Sequence, residues 1–269
     1  MNYTIYEICN HMDFSKDISY LQLFPYKVFK IKNFFEEDYY DHLNENFPNI
    51  LSFSKDDLTK FDNNKFGLTS ESIAYQKFIS SNETYRKLDK IIKSDYFFNF
   101  FFRKFYFSFV YSRKNSLKHL VKILKIPKLS YNSEKTKFYS IYSKINVQIQ
   151  FSYIANKGMI VPHTDAGNKL LTLMLYFPDK DLSYEDKINE KKFGTTFYKL
   201  KKKSDENRHL SLVERQEFLK SNKEKSFKSD FVENTLVGFI KNDVSWHSVE
   251  PVDIKKNYVR KSININFFY

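Results

Sequence analysis

Glycine is nearly missing from this chain of 269 residues; five occur, at 67, 158, 167, 194 and 238. Dinucleotide fingerprints and phosphate loops need several glycines at fixed spacing, so both are excluded. No G-x-S-x-G is present, which removes the serine-hydrolase elbow. The single cysteine, Cys9, excludes an internal disulfide and a cysteine-built zinc cluster, and fits a reducing compartment. Arginine is scarce as well, at six of the 44 basic residues. The net charge of +12 invites a polyanionic partner, yet readers of bases and phosphates lean on arginine's bidentate grip. Lysine, asparagine, isoleucine, phenylalanine and tyrosine all have AT-rich codons, so genome composition accounts for the excess and nucleic acid stays the lesser alternative. Long apolar runs are also lacking: the most apolar segment, 96–111, is broken by Asn99, Arg103 and Lys104 and is too short to span a bilayer. The first residues carry Glu7 and Asp13 and do not pattern as a secretory signal. The expectation is a soluble cytoplasmic protein.

What the chain has in abundance is apolar and aromatic surface, 42% hydrophobic residues with 29 Phe and 20 Tyr, enough for a sizeable core. The first half patterns as mainly helical after one early strand. Residues 24–35 alternate through Val28, Phe29 and Ile31, and 36–47 place Tyr39, Leu43 and Phe47 at helical spacing behind acidic residues. Residues 82–105 predict one or two helices whose aromatic stripe packs against a sheet. From 141 the pattern changes. Residues 143–154 alternate strictly, with Ile145, Val147, Ile149, Phe151 and Tyr153 on one face and Asn146, Gln148, Gln150 and Ser152 on the other. Further strands are predicted at 169–177, 193–200, 235–240 and 259–268, and this density suggests a sandwich or jelly roll. The charged stretch 201–230 is an excursion, a solvated loop or a lid, in which Ser211 to Glu214 form a capping-box pattern opening a short helix with Leu212, Phe218 and Leu219.

Two histidines and one acid stand out against this background. His163 and Asp165 precede a strand, but the pair alone decides nothing, because His11 and Asp13 have the same spacing. His247 follows a later strand and turn. Two histidines and one carboxylate on one face of an ion leave three positions open, the arrangement of non-haem Fe(II) oxygenases. A 2-oxo acid co-substrate needs a cation for its far carboxylate. Arg260 lies in the last strand, with Ser262 two positions on and so on the same face. His11, His42, His119 and His209 match no motif.

With "HTD" at 163–165, "WH" at 246–247 and "RKS" at 260–262, the chain resembles the Fe(II)- and 2-oxoglutarate-dependent dioxygenases, closest to the prolyl-hydroxylase-like branch. Weaker likeness comes from Tyr153, ten residues before His163 and similar to that branch's co-substrate tyrosine, and from "LTLMLYFPD", whose Tyr176 would also face the co-substrate. The resemblance implies an α+β chain with a double-stranded β-helix (jelly-roll, cupin-like) core. It reads as one catalytic domain over 1–269, with 1–140 as support and 141–269 as core. It implies Fe(II) on His163, Asp165 and His247, 2-oxoglutarate on Arg260, Ser262, Tyr153 and Tyr176, dioxygen as oxidant and ascorbate as an accessory. The activity implied is hydroxylation of a small molecule or protein side chain with release of succinate and CO2. Asp165 favours hydroxylation, since halogenating members replace this acid with a small residue. A zinc hydrolase, a non-catalytic jelly-roll module and a nucleic-acid-directed oxygenase are the alternatives. The departures are a longer turn at 250–258 and the 201–230 excursion.

Overall fold

The computed structural model describes residues 18–54, 56–61, 63–112, 121, 123–124, 126–129, 142–200, 212–255 and 257–269. Two β-sheets organise it. The larger runs β1(Ser19–Gln22), β2(Val28–Lys32), β11(Thr235–Ile240), β8(Lys169–Phe177), β13(Val259–Phe268), β6(Tyr142–Ala155), β4(Lys65–Thr69) and β3(Thr59–Phe61), with β5(Ile126–Leu129) pairing in parallel with β6. The smaller runs β10(Lys223–Lys228), β9(Thr196–Leu200), β12(His247–Val249) and β7(Ile160–His163), all antiparallel. The structure is thus mixed helix and sheet, dominated by a large antiparallel sheet.

Alternation decides what each face of the larger sheet does. Register puts Phe151, Ile263, Leu175 and Leu236 in one lateral row, with Ile149, Ile265, Leu173 and Gly238 in the next. This face packs against the helices α1(Glu37–Glu45), α2(Ile73–Ser81), α3(Glu83–Ile92), α4(Asp95–Lys104) and α5(Tyr106–Ser112) in one aromatic-rich core. Phe47, after α1, meets Phe151 edge-on with ring centroids 5.4 Å apart, and Phe98 of α4 meets Phe267 at 4.9 Å. The aromatic stripe at 82–105 is therefore core. It splits into two helices because Ser94 caps the second, its hydroxyl accepting from the Phe97 amide. Gly238 sits between Phe29 and Leu173, where an added Cβ would lie 2.4 Å and 2.7 Å from their side chains. Gly238→Ala is expected to cost about 1–3 kcal/mol by overpacking, read as a lowered denaturation midpoint with unchanged slope.

The opposite face of the larger sheet looks toward the smaller one. Between them Val28, Met174, Tyr176, Val237 and Phe239 pack on Phe197 and Phe231. Two expectations change. The N-terminal half is not helices plus one strand, because it also supplies β1, β3, β4 and β5, which pair with β2 or extend the sheet beyond β6. Nor is 201–230 wholly a surface excursion. Residues 201–211, including Ser211 of the expected cap, lie outside the described residues. Beyond them, α7(Leu212–Asn222) seats Phe218 and Leu219 against the buried Trp246, and β10 completes the smaller sheet. A short helix, α6(Tyr184–Glu190), precedes β9. No described helix is long and apolar enough to cross a membrane.

Candidate metal centre

His163 ends β7 and His247 opens β12, and the two strands pair with these residues directly opposite each other. Their rings lie 4.3 Å apart between centroids. Asp165 follows β7 by two residues, and its carboxylate turns back toward the same point. One ligand atom from each of His163, Asp165 and His247 lies within 4.8 Å of the others, the only such group of three among the described residues. Each imidazole is oriented by the backbone carbonyl two residues before it: His163 Nδ1 lies 2.8 Å from the Val161 carbonyl and His247 Nδ1 lies 3.1 Å from that of Ser245. Commitment of Nδ1 to a carbonyl fixes the tautomer and leaves Nε2 with its lone pair for an ion. His163 Nε2 is 3.9 Å from Asp165 Oδ1. Phe239 and Phe197 wall the His247 ring at 4.6 Å and 6.4 Å.

Electrostatics suit this donor set. Burial, reinforced by the neighbouring His247, pulls His163 down to about 3, and burial also lowers His247. Both imidazoles are neutral at pH 7. Burial pushes the Asp165 carboxyl up, but Lys169, joined by the two imidazoles once they are protonated at low pH, outweighs it and holds the group well below the usual carboxylate range. Lys169 Nζ donates to Asp165 Oδ1 at 2.8 Å, and the Thr172 hydroxyl donates to Oδ2 at 3.0 Å. Two neutral nitrogens and one ionised oxygen, each held from behind, fit a divalent transition metal with positions left for other ligands.

The depressed His163 has a consequence for stability. Its folded value lies below that of an unfolded histidine, about 6.5, so the unfolded chain binds the extra proton between the two. Stability from this group is complete above about pH 6.5 and is lost as pH falls toward 3. Metal-free protein is expected to lose stability across that window, and His163→Gln is expected to lessen the loss without removing it, because His247 is lowered in the same direction. Denaturant titrations of both proteins at several pH values make the measurement.

Arg260 and Ser262 stand on the face of β13 that looks into the cleft. Arg260 is 2% exposed, and its guanidinium packs 4.5 Å from the Phe231 ring centroid and 5.2 Å from that of Tyr176. Nε donates to the Phe193 carbonyl at 2.7 Å and Nη1 to the Ser262 hydroxyl at 3.4 Å. Among the described residues no carboxylate pairs with it. Burial lowers its proton affinity, which is the signature of a cation taken out of water. Tyr176 stands in the same cleft, its hydroxyl already shared with Thr195 and Ser229 at 3.0 Å and 2.9 Å.

Tyr153 does not join them. It shares the helix-facing side of β6 with Phe151, bonds the Pro48 carbonyl at 2.8 Å and packs on Phe47. The reason is parity: residue 153 alternates with 152, and Ser152 takes the cleft side opposite Ser262. His42 is exposed beside Glu45, whereas His11, His119 and His209 lie outside the described residues. Thr172, Lys169 and Lys65 were missed from sequence. Thr172 alone had a signal, as the one aliphatic hydroxyl in an apolar strand. Lys199 and Lys225 share the face of the smaller sheet that carries Phe197 and Phe227, but Lys199 is held by Glu224, and Lys228 by Glu250.

No protein-family model matches the chain, and no curated protein matches it in sequence. Among solved structures it is similar to a Pseudomonas putida prolyl-4-hydroxylase at 10% identity and a TM-score of 0.46, over 91% of this chain and 93% of that one. A prolyl 4-hydroxylase from Phytophthora capsici matches at 12% identity and a TM-score of 0.44, over 100% of this chain and 66% of the other. HygX from Streptomyces hygroscopicus, solved with nickel and 2-oxoglutarate bound, matches at 8% identity and a TM-score of 0.46, over 90% and 82%.

Proposed function

We propose that the protein is an Fe(II)- and 2-oxoglutarate-dependent dioxygenase that hydroxylates a small molecule or a protein side chain. The single observation that carries this reading is the convergence of His163, Asp165 and His247 within 4.8 Å at the edge of the cleft that holds Arg260. The two facing sheets support a double-stranded β-helix core, since β11-β8-β13-β6 and β10-β9-β12-β7 are two antiparallel layers of four strands. One catalytic domain braced by the N-terminal helices is part of the same proposal.

When bound, the iron and 2-oxoglutarate supply the oxidising chemistry, consuming dioxygen and releasing succinate and CO2. The chain's own residues do the rest. His163, Asp165 and His247 hold the ion, and Thr172 orients the carboxylate. Arg260 and Ser262 grip the far carboxylate of the oxo acid, because a buried guanidinium with no carboxylate partner among the described residues is complementary to one that arrives. Phe197, Phe231 and Phe239 keep water from the cleft. A zinc hydrolase reading leaves Arg260 without a task. A nucleic-acid reading draws little support from Lys199 and Lys228, which are paired with acids. The test is conversion of 2-oxoglutarate to succinate by the purified chain without added substrate. Turnover that needs both Fe(II) and dioxygen supports the reading, and none under any of these conditions counts against it.

A further inference from the structure

Three adjacent strands carry polar side chains on the cleft face that the metal centre does not use. Ser152 of β6 is fully buried, and its hydroxyl has no hydrogen-bond partner among the described residues. Register fixes its surroundings. Ser152 stands across from Ser262 on β13, while Ile154, two residues on and on the same face, stands across from Arg260 on one side and Lys65 of β4 on the other. Ser152 is therefore diagonal to both cations, a separation of roughly 7–8 Å that long side chains on one sheet face can bridge. Lys65 is half-buried. Burial first, then repulsion from Lys169, brings its ammonium down to about 8, with Asp165 opposing and Arg260 adding to the fall. Register puts the Lys65 side chain on the same sheet face as Arg260, two strands away. Buried polar groups in folded proteins are paired almost without exception, and an orphan hydroxyl flanked by two cations has the chemistry of an anion site.

We propose that Lys65 and Ser152 form an anion subsite beside the Arg260–Ser262 pair that takes a carboxylate or a phosphate group. The identity of that group rests on the oxygenase reading: it is either the far carboxylate of the oxo acid or an acidic group on the substrate.

The experiment uses the full chain loaded with Mn(II), which suits a carboxylate-containing site. Two probes are measured by equilibrium binding: 2-oxoglutarate, and inorganic phosphate added both without and with saturating 2-oxoglutarate. Lys65→Met and Ser152→Ala are each expected to weaken one probe about tenfold or more, with Mn(II) affinity unchanged. Lys65→Arg, which keeps the charge, is expected to stay within about threefold of the parent protein. Loss confined to 2-oxoglutarate assigns the subsite to the co-substrate, and loss confined to phosphate on the 2-oxoglutarate-loaded protein assigns it to the substrate. A parent protein that binds phosphate in a Lys65-dependent way but not 2-oxoglutarate would keep the subsite and remove the oxygenase reading. Unchanged binding of both probes in both variants, an equal loss of Mn(II) affinity, or failure of the parent protein to bind either anion would overturn the proposal.

Discussion

His247→Ala abolishes Fe(II)- and 2-oxoglutarate-dependent succinate formation, and His163→Ala does the same; this is the largest effect expected of any single substitution. Each change removes one of three protein ligands. Losing an outer partner of a metal ligand already costs about 10–100-fold in affinity or activity, and loss of a ligand itself exceeds that. His247 is also buried against Phe239 and Phe197, so alanine leaves a hole, and some loss of stability accompanies the loss of metal. Metal binding separates the two effects: a folded His247→Ala chain that no longer retains Fe(II) on dialysis is the predicted outcome. His42→Ala is the control, since His42 lies on the surface beside Glu45 and its removal leaves turnover unchanged. Succinate formation within a few-fold of the parent protein in either ligand variant would remove the assignment.

The second large effect falls on Arg260. Hydrogen bonds to a charged group contribute about 1.5–3 kcal/mol, so Arg260→Ala is expected to raise the half-saturating 2-oxoglutarate concentration by roughly 10- to 150-fold with Fe(II) affinity retained. Arg260→Met keeps the volume between Tyr176 and Phe231 and separates loss of the charge from loss of packing. Arg260→Lys does not restore binding. A lysine cannot donate to the Phe193 carbonyl through Nε while presenting a fork to a carboxylate. The dependence of succinate release on 2-oxoglutarate, measured at saturating Fe(II), decides it. An unchanged half-saturation point would mean that the buried guanidinium serves only the Phe193 carbonyl and the Phe231 ring.

The parts of this molecule that could be read from sequence are those where burial imposes a period. The strands β6, β8, β11 and β13 were legible because each pairs on both sides and packs a helix layer, so its alternation or apolar run is long. The strands β7, β10 and β12 were not. Two of them span four and three residues, and β10 is an exposed, lysine-rich edge whose pairing with β9 its composition hides. Yet β7 and β12 carry His163 and His247, so those ligands could be found only by motif order. Arg260 and Ser262 were legible through parity, and the same rule should have excluded Tyr153. It alternates in phase with Phe151 and Ile149, on the side that meets the helices, whereas Ser152 and Gln150 carry the cleft side. The family motif outweighed the period there, and the period was right. Lys65 had no local signal, because its position across from Ile154 and two strands from Arg260 exists only once β4 has joined the sheet.

The most direct measurement of the central claim needs no substrate. Fe(II) is added to the metal-free protein without oxygen, then 2-oxoglutarate, and the visible spectrum is recorded. Chelation of the oxo acid by an iron held on His163, Asp165 and His247 predicts a charge-transfer band that saturates at one iron per chain and is missing from His247→Ala. A folded parent protein that gives no band at saturating Fe(II) and 2-oxoglutarate, or a His247→Ala variant that gives the full band, would contradict it.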